Sequence, residues 1–415
     1  MNDDLRDLMR EATRLTQAGR LNEATEIIQR ALRGRTEAGT APSHADEAEA
    51  LLPTIQPLRL EPSVAAPEVH TPHVTATTAT EPAAGGSSTA ELNHWSRSNQ
   101  MDVDAEVDTG PGEFANGSHT HATLTRRFKL YVPRGHVGRA LPLVVMLHGC
   151  TQDPDDFAAG TDMNALAQEQ GFLVLYPAQS QDANPSRCWN WFQHHHQRRG
   201  SGEPALIASL TQAVIAQRGI DARRVYIAGL SAGGAMAAII AAAYPDIFAA
   251  VGVHSGLPPG AAGNLIEALA AMKNAGAGSG PHVRVGGIGS VLPPSQVAVP
   301  TIVFHGDQDK TVHPRNGEQV IAAVLGSAAI AGEDNAFAAG SPQIEEGVST
   351  LGRRYTRSIH HDDDGNAIAE HWLVHGAGHA WSGGHASGSY TDARGPDATR
   401  AMLQFFFRHP HRLND

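Results

Sequence analysis

The sequence predicts an α/β architecture, a mostly parallel sheet covered by helices on both faces, and three observations predict it. Short apolar runs rich in β-branched residues recur at 142–147, 171–176, 224–228, 249–253, 300–304 and 370–374. Helix-forming stretches alternate with them, the pattern of a sheet built from crossover connections. The runs are also continuously apolar, as in Leu141-Pro142-Leu143-Val144-Val145-Met146-Leu147, which suits a parallel strand buried on both faces.

Taken in chain order, the elements fall into three parts. Residues 1–34 carry two helical periodicities, Leu5, Leu8, Met9, Ala12, Leu15 and then Leu21, Ala24, Ile27, Ile28, Ala31, Leu32, with Gly19 between them. This predicts a helical hairpin. One hairpin cannot bury its own apolar stripe, so it is expected to pack against something or to self-associate. Residues 35–98 are rich in Ala, Pro and Thr with little apolar periodicity and read as a disordered linker. Residues 99–415 form the folded domain. Within it, Ala122 to Val132 reads as an early antiparallel strand and Asp397 to Phe407 as the closing helix.

Composition narrows the classes. The chain has 415 residues, 41% of them hydrophobic, enough for a substantial core. A formal net charge of −12 argues against nucleic acid as a main partner. No run approaches the roughly 18 apolar residues of a membrane span, so no transmembrane segment is expected. The first twenty residues mix Asp, Glu and Arg without an apolar centre, which points to the cytoplasm.

Gly229-Leu230-Ser231-Ala232-Gly233 reads G-x-S-x-G. The β-branched run Arg224 to Ala228 precedes it and the Ala-rich run Ala235 to Ala243 follows. That strand–turn–helix setting is what a nucleophile elbow requires. A serine hydroxyl is a poor nucleophile at neutral pH and needs a base, which needs an orienting acid. Both follow in chain order. After the strand Thr301 to Phe304 come Asp307 and Asp309. Asp309 is the candidate acid, and Asp307, its competitor, is expected to cap the turn through its own backbone. After the strand at 370–374 come His375 and His379. His379 is the candidate base because Gly and Ala flank it, while His375 is expected to pack or hydrogen-bond on the strand. The loop His148-Gly149-Cys150 at the end of another strand offers the Cys150 N–H as one oxyanion donor, with the Ala232 N–H after the nucleophile as the other.

At these motifs the chain resembles the polyhydroxybutyrate depolymerase-like esterases, related to feruloyl and acetylxylan esterases. The segments that carry the resemblance are Leu147 to Gln152, Cys188 to Phe192, Gly229 to Gly234, His305 to Asp309 and Gly376 to Gly384. The resemblance implies an α/β-hydrolase fold over 99–415 and a serine esterase acting on carboxylic esters, often 3-hydroxyalkanoate polyesters or their oligomers. It places the acid on Asp309 and the base on His379; hydrolysis by such a triad needs no cofactor, and none is expected. It also makes Trp189 and Trp381 candidate substrate-binding walls, with Asn190 beside them. The two cysteines, Cys150 and Cys188, are free thiols by the compartment expectation; in the family they occur together, and a disulfide clamping the two loops is the alternative.

Other readings stay open. The substrate is expected to be a soluble ester or a polyester granule surface. A feruloyl or acetyl ester on a sugar keeps the chemistry and changes the substrate. A granule-associated binding protein would use the N-terminal hairpin as its anchor. The tract His194-His195-His196 is a weak metal motif, since three consecutive ligands rarely face one ion.

Overall fold

The computed structural model describes residues 112–135, 139–274, 299–330, 341–362 and 364–411. The chain divides into two units, Met1–Asp104 and Ala105–Asp415, and every described residue lies in the second. The expected hairpin (1–34) and linker (35–98) lie outside the described residues.

The sheet is built from β1 (Glu113–His121), β2 (Leu124–Val132), β3 (Leu143–Leu147), β4 (Leu173–Pro177), β5 (Val225–Leu230), β6 (Ala250–His254), β7 (Thr301–Gly306), β8 (Gln343–Val348), β9 (Arg354–His361) and β10 (Ala367–Val374). Their order across the sheet is β1-β2-β4-β3-β5-β6-β7-β10-β9-β8. The centre, from β4 to β10, is parallel throughout. Antiparallel pairs close both flanks, β1 and β2 beside β4 on one side, β9 and β8 beside β10 on the other. A short parallel pair, β11 (Trp381–Ser382) and β12 (Thr391–Asp392), stands apart.

The central strands read as apolar runs because both faces are covered. Along β3, Leu143, Val145 and Leu147 face one core and Val144 and Met146 the other. The first core takes Ile207, Leu210 and Val214 from the helix Gly202–Arg218 and Met236, Ile239 and Ile240 from the helix Ala232–Ala243. The second takes Phe157 from the helix Pro154–Thr161, Leu166 from Met163–Gln170, and Met402, Phe405 and Phe406 from Ala398–Phe407. Each fully buried side chain of this size contributes roughly 1.5–3 kcal/mol. The closing helix starts at Asp397, whose carboxylate accepts the Arg400 N–H at 2.8 Å, and it stacks Phe406 on Tyr226 of β5 at 5.1 Å. That contact ties the chain's last helix to the strand that ends in Ser231.

Candidate active site

The functional side chains gather at the carboxyl ends of the parallel strands, where open α/β sheets hold their sites. Ser231 follows β5 directly. Its backbone has φ 58° and ψ −119°, a conformation that costs of order 1–3 kcal/mol in a residue with a Cβ and that clusters at active sites. The surroundings hold it there. Ser231 N–H donates to the His254 carbonyl at 2.8 Å, and the Ser231 carbonyl accepts from Ala235 N–H at 2.9 Å. The flanking glycines are required by close approach: a Cβ on Gly229 would lie 2.4 Å from the Gly233 backbone, and one on Gly233 would lie 2.1 Å from the Leu147 carbonyl. The turn is thus wedged between the start of its own helix and the end of β3.

Asp309 and His379 are brought together. His379 Nδ1 donates to Asp309 Oδ2 at 2.7 Å. Asp309 is buried, and its other oxygen, Oδ1, accepts the N–H groups of Thr311 and Val312 at 2.8 and 2.9 Å. Burial alone would push the carboxyl up, but hydrogen bonds from His305 and His379, the histidine charge and the Val312 amide outweigh it and hold Asp309 well below the usual carboxylate range. Among the described residues no hydrogen bond joins Ser231 Oγ to the His379 ring.

Asp307 does something other than the sequence suggests. It does not cap its own turn; its Oδ2 accepts from His375 Nδ1 at 3.0 Å and its Oδ1 from Gly376 N–H at 2.7 Å. His375 hydrogen-bonds through Nε2 to Thr356 at 2.9 Å. The turn-capping carboxylate is Asp309, whose second oxygen is left for His379.

The loop after β3 abuts the elbow. A Cβ on Gly149 would stand 3.6 Å from the Leu230 carbonyl. Gly149 N–H donates to Gln152 Oε1 at 2.9 Å, and Gln152 Nε2 donates to Asp156 at 2.9 Å and to the Ser389 carbonyl at 3.1 Å. Among the described residues, neither the Cys150 nor the Ala232 N–H has an acceptor. Ala232 opens a helix, so its free N–H follows from helix geometry. Cys150 is bonded to Cys188, and Thr151 N–H donates to the Ser186 carbonyl at 2.7 Å, so two links tie this loop to the loop at 186–188.

The three residues expected to contact substrate are buried. Trp189, Asn190 and Trp381 are 0%, 4% and 1% exposed, each with its side chain engaged inside the protein. Trp189 packs on His148 inside the first core. Trp381 stacks on His254 and donates its indole N–H to Thr399 at 2.9 Å. Asn190 donates through its amide nitrogen and its backbone N–H to the buried Glu203, at 2.9 and 2.8 Å. Burial pushes Glu203 up, but contacts with His196, Gln179 and Asn190 outweigh it and hold the carboxyl below its usual range. His196 of the histidine tract sits 3.2 Å from Glu203. Among the described residues no group of three His, Cys, Asp or Glu is placed to hold a metal ion.

Two further residues shape the site without a clear sign in the sequence. His254, at the end of β6, lies between the Ser231 and Asp309 strands. Its Nε2 accepts the Ser382 N–H at 2.9 Å, so its proton sits on Nδ1, facing Ser255 at 3.1 Å. Burial, with His305 and His379 nearby, pushes it well below the usual histidine range. Gln152 clamps the loop after β3. The signals were their positions at a strand's carboxyl end and beside a strand-end glycine.

A mixed sheet with this parallel centre, its strand–serine–helix turn and an acid–histidine pair at the same edge, defines an α/β-hydrolase. The chain belongs to the esterase PHB depolymerase family, which matches it over residues 126–346. It is 31% identical over 253 residues to the poly(3-hydroxyalkanoate) depolymerase C of Paucimonas lemoignei, covering 60% of this chain and 57% of that protein. It is 30% identical over 207 residues to a probable acetylxylan esterase A of Neosartorya fischeri, covering 48% and 54%. Over 126 residues it is 34% identical to a poly(3-hydroxybutyrate) depolymerase of Ralstonia pickettii, covering 28% and 26%. The chain thus spans about half the length, or less, of these relatives.

Proposed function

We propose that the chain is a serine carboxylic ester hydrolase of the cytoplasm that cleaves poly- or oligo-3-hydroxyalkanoate esters through an acyl-enzyme on Ser231. The main support is the 2.7 Å His379–Asp309 hydrogen bond, set at the same sheet edge as the strained Ser231 turn. His379 Nε2 takes the Ser231 proton as Oγ attacks the ester carbonyl. The Cys150 and Ala232 N–H groups hold the oxyanion, each such donor being worth about 10²–10³ in kcat. The carbon–oxygen bond to the alcohol then breaks, and the alcohol leaves with the proton from His379. Water attacks the acyl group, gives a proton to His379, and releases the acid and the serine. Asp309 holds the imidazole in the Nδ1-protonated tautomer and stabilises its cation. No cofactor enters these steps.

The substrate class rests on the depolymerase relatives. The acetylxylan esterase relative favours a second reading, a short acyl ester on a sugar. The test is release of 3-hydroxybutyrate from amorphous polyhydroxybutyrate granules by the purified protein, with Ser231→Ala as control. Release by wild type alone supports the polyester reading. No release, with short soluble esters still cleaved, keeps the mechanism and removes the polymer.

A further inference from the structure

Behind the Asp309–His379 pair lies a second pair of imidazoles that the mechanism above does not use. His305, in β7, is fully buried. Its Nε2 lies 2.9 Å from the Val312 carbonyl and 3.4 Å from Asp309 Oδ2. Both neighbours accept and neither donates, so Nε2 carries the proton. In the neutral ring Nδ1 is then a lone pair, and it is buried with no partner among the described residues. His371, on β10, is in the complementary position: its Nε2 is buried and also without a partner among the described residues.

The two orphan nitrogens face one space. A Cβ placed on Gly317 would lie 2.9 Å from His371 Nε2 and 3.0 Å from His305 Nδ1. Gly317 is the third residue of the helix Arg315–Ile330, where glycine is otherwise a poor choice. Its bare backbone keeps the space between the two rings open. Burial, with His305 and His360 nearby, pushes His371 down to about 4. At neutral pH it therefore holds a single ring proton, which can sit on Nε2.

We infer that His305 is a positioning residue for Asp309: with Nε2 protonated and Nδ1 left as a lone pair facing the space over Gly317, the ring donates toward Asp309 Oδ2. The inference rests on the assignment of Asp309 and His379 to the reaction. Its physical content is a choice between tautomers. With the proton on Nε2, His305 donates toward Asp309 Oδ2 and pins the carboxylate in the plane that meets His379. With the proton on Nδ1, a lone pair would face two oxygens, and Asp309 would be free to turn away. The Val312 carbonyl, 2.9 Å from Nε2, selects the first state.

The test measures kcat and KM on a short soluble p-nitrophenyl ester for His305→Gln, His305→Leu and Gly317→Ala, with Ser231→Ala as control and thermal melts as the fold check. Glutamine places an N–H near the position of imidazole Nε2, and His305→Gln is expected within about threefold of wild type. His305→Leu is expected to lower kcat by about 10–100-fold, as loss of an outer-shell orienting partner does at other sites, with KM unchanged. It should also abolish the far-downfield proton signal of the His379–Asp309 hydrogen bond. Gly317→Ala pushes a methyl between the rings and is expected to lower kcat by about tenfold at unchanged KM. A folded His305→Leu with wild-type kcat and an intact downfield signal overturns the inference. If His305→Leu fails to fold, Gly317→Ala decides, and wild-type kcat there overturns it. An inactive Ser231→Ala beside such a result leaves the hydrolase assignment standing; an active Ser231→Ala overturns both.

Discussion

Asp309→Asn should separate orientation of the base from every other role of this turn. Asp309 Oδ1 accepts two backbone N–H groups, from Thr311 and Val312 at 2.8 and 2.9 Å, and Oδ2 accepts His379 Nδ1 at 2.7 Å. An asparagine fits the same volume but has one acceptor. The backbone donors cannot move, so the amide oxygen stays with them and the NH₂ turns toward His379. The imidazole must then offer Nδ1 as a lone pair and shift its proton to Nε2, the atom that should receive the serine proton. The equivalent change in a Ser–His–Asp protease lowers kcat by about 10⁴, or about 5.5 kcal/mol at 1.36 kcal/mol per decade. Asp307→Asn touches the His375, Gly376 and Gln308 contacts and should stay within about tenfold. The assay is kcat/KM on a soluble short-chain ester at pH 7.5, with melting curves to show that both variants fold. An Asp307→Asn loss equal to or larger than that of Asp309→Asn would refute the assignment of the acid.

Gln152→Ala removes the acceptor of Gly149 N–H and the loop's link to Asp156 and Ser389; kcat should fall about 10–100-fold with KM little changed, since the oxyanion donors rather than ground-state binding are disturbed. Cys188→Ser opens a disulfide whose partners are 38 residues apart and should lower stability by about 2–4 kcal/mol, read from urea midpoints. A reducing cytosol would keep the pair as thiols, so free thiols in protein taken directly from cells support the cytoplasmic proposal and an intact disulfide there counts against it. His148 is buried, which pushes its pKa from 6.5 down to about 4. Below pH 6.5 the unfolded chain takes up a proton that the folded chain refuses. This contribution is therefore complete above pH 6.5 and is lost as pH falls toward 4, by about 3 kcal/mol in all. Urea titrations between pH 7 and 4 should show that slope, and His148→Gln should flatten it.

The parts of the fold legible in the sequence are those buried on both faces. β3, β5 and β7 are fully buried along their whole length, so burial itself wrote the apolar runs. β1, β8 and β9 went unread because they lie on the flanks. β8 has the sequence Gln343-Ile344-Glu345-Glu346-Gly347-Val348 with only Glu345 and Gly347 half-buried and the rest exposed, and an edge strand of that composition looks like a loop. The elbow glycines were legible because steric exclusion leaves no other residue. The choice between Asp307 and Asp309 was only half legible, because which carboxylate meets which histidine depends on how β7 pairs with β10. The burial of the tryptophans was not legible, because a loop residue beside an active site can still point inward, and Trp189 and Trp381 both do. His305 and His371 lie on adjacent strands, and only the packing of Gly317 against both shows that they share a space.

Covalent labelling tests the central claim most directly. The protein is treated with a fluorophosphonate ester at sub-stoichiometric ratios, the fraction of activity lost is measured, and the labelled peptide is sequenced by mass spectrometry. One phosphonyl group on Ser231, with activity lost in proportion to it and no label on the Ser231→Ala variant, is the expected result. Label on another residue, or ester turnover that persists after Ser231 is fully modified, would contradict the assignment of the nucleophile.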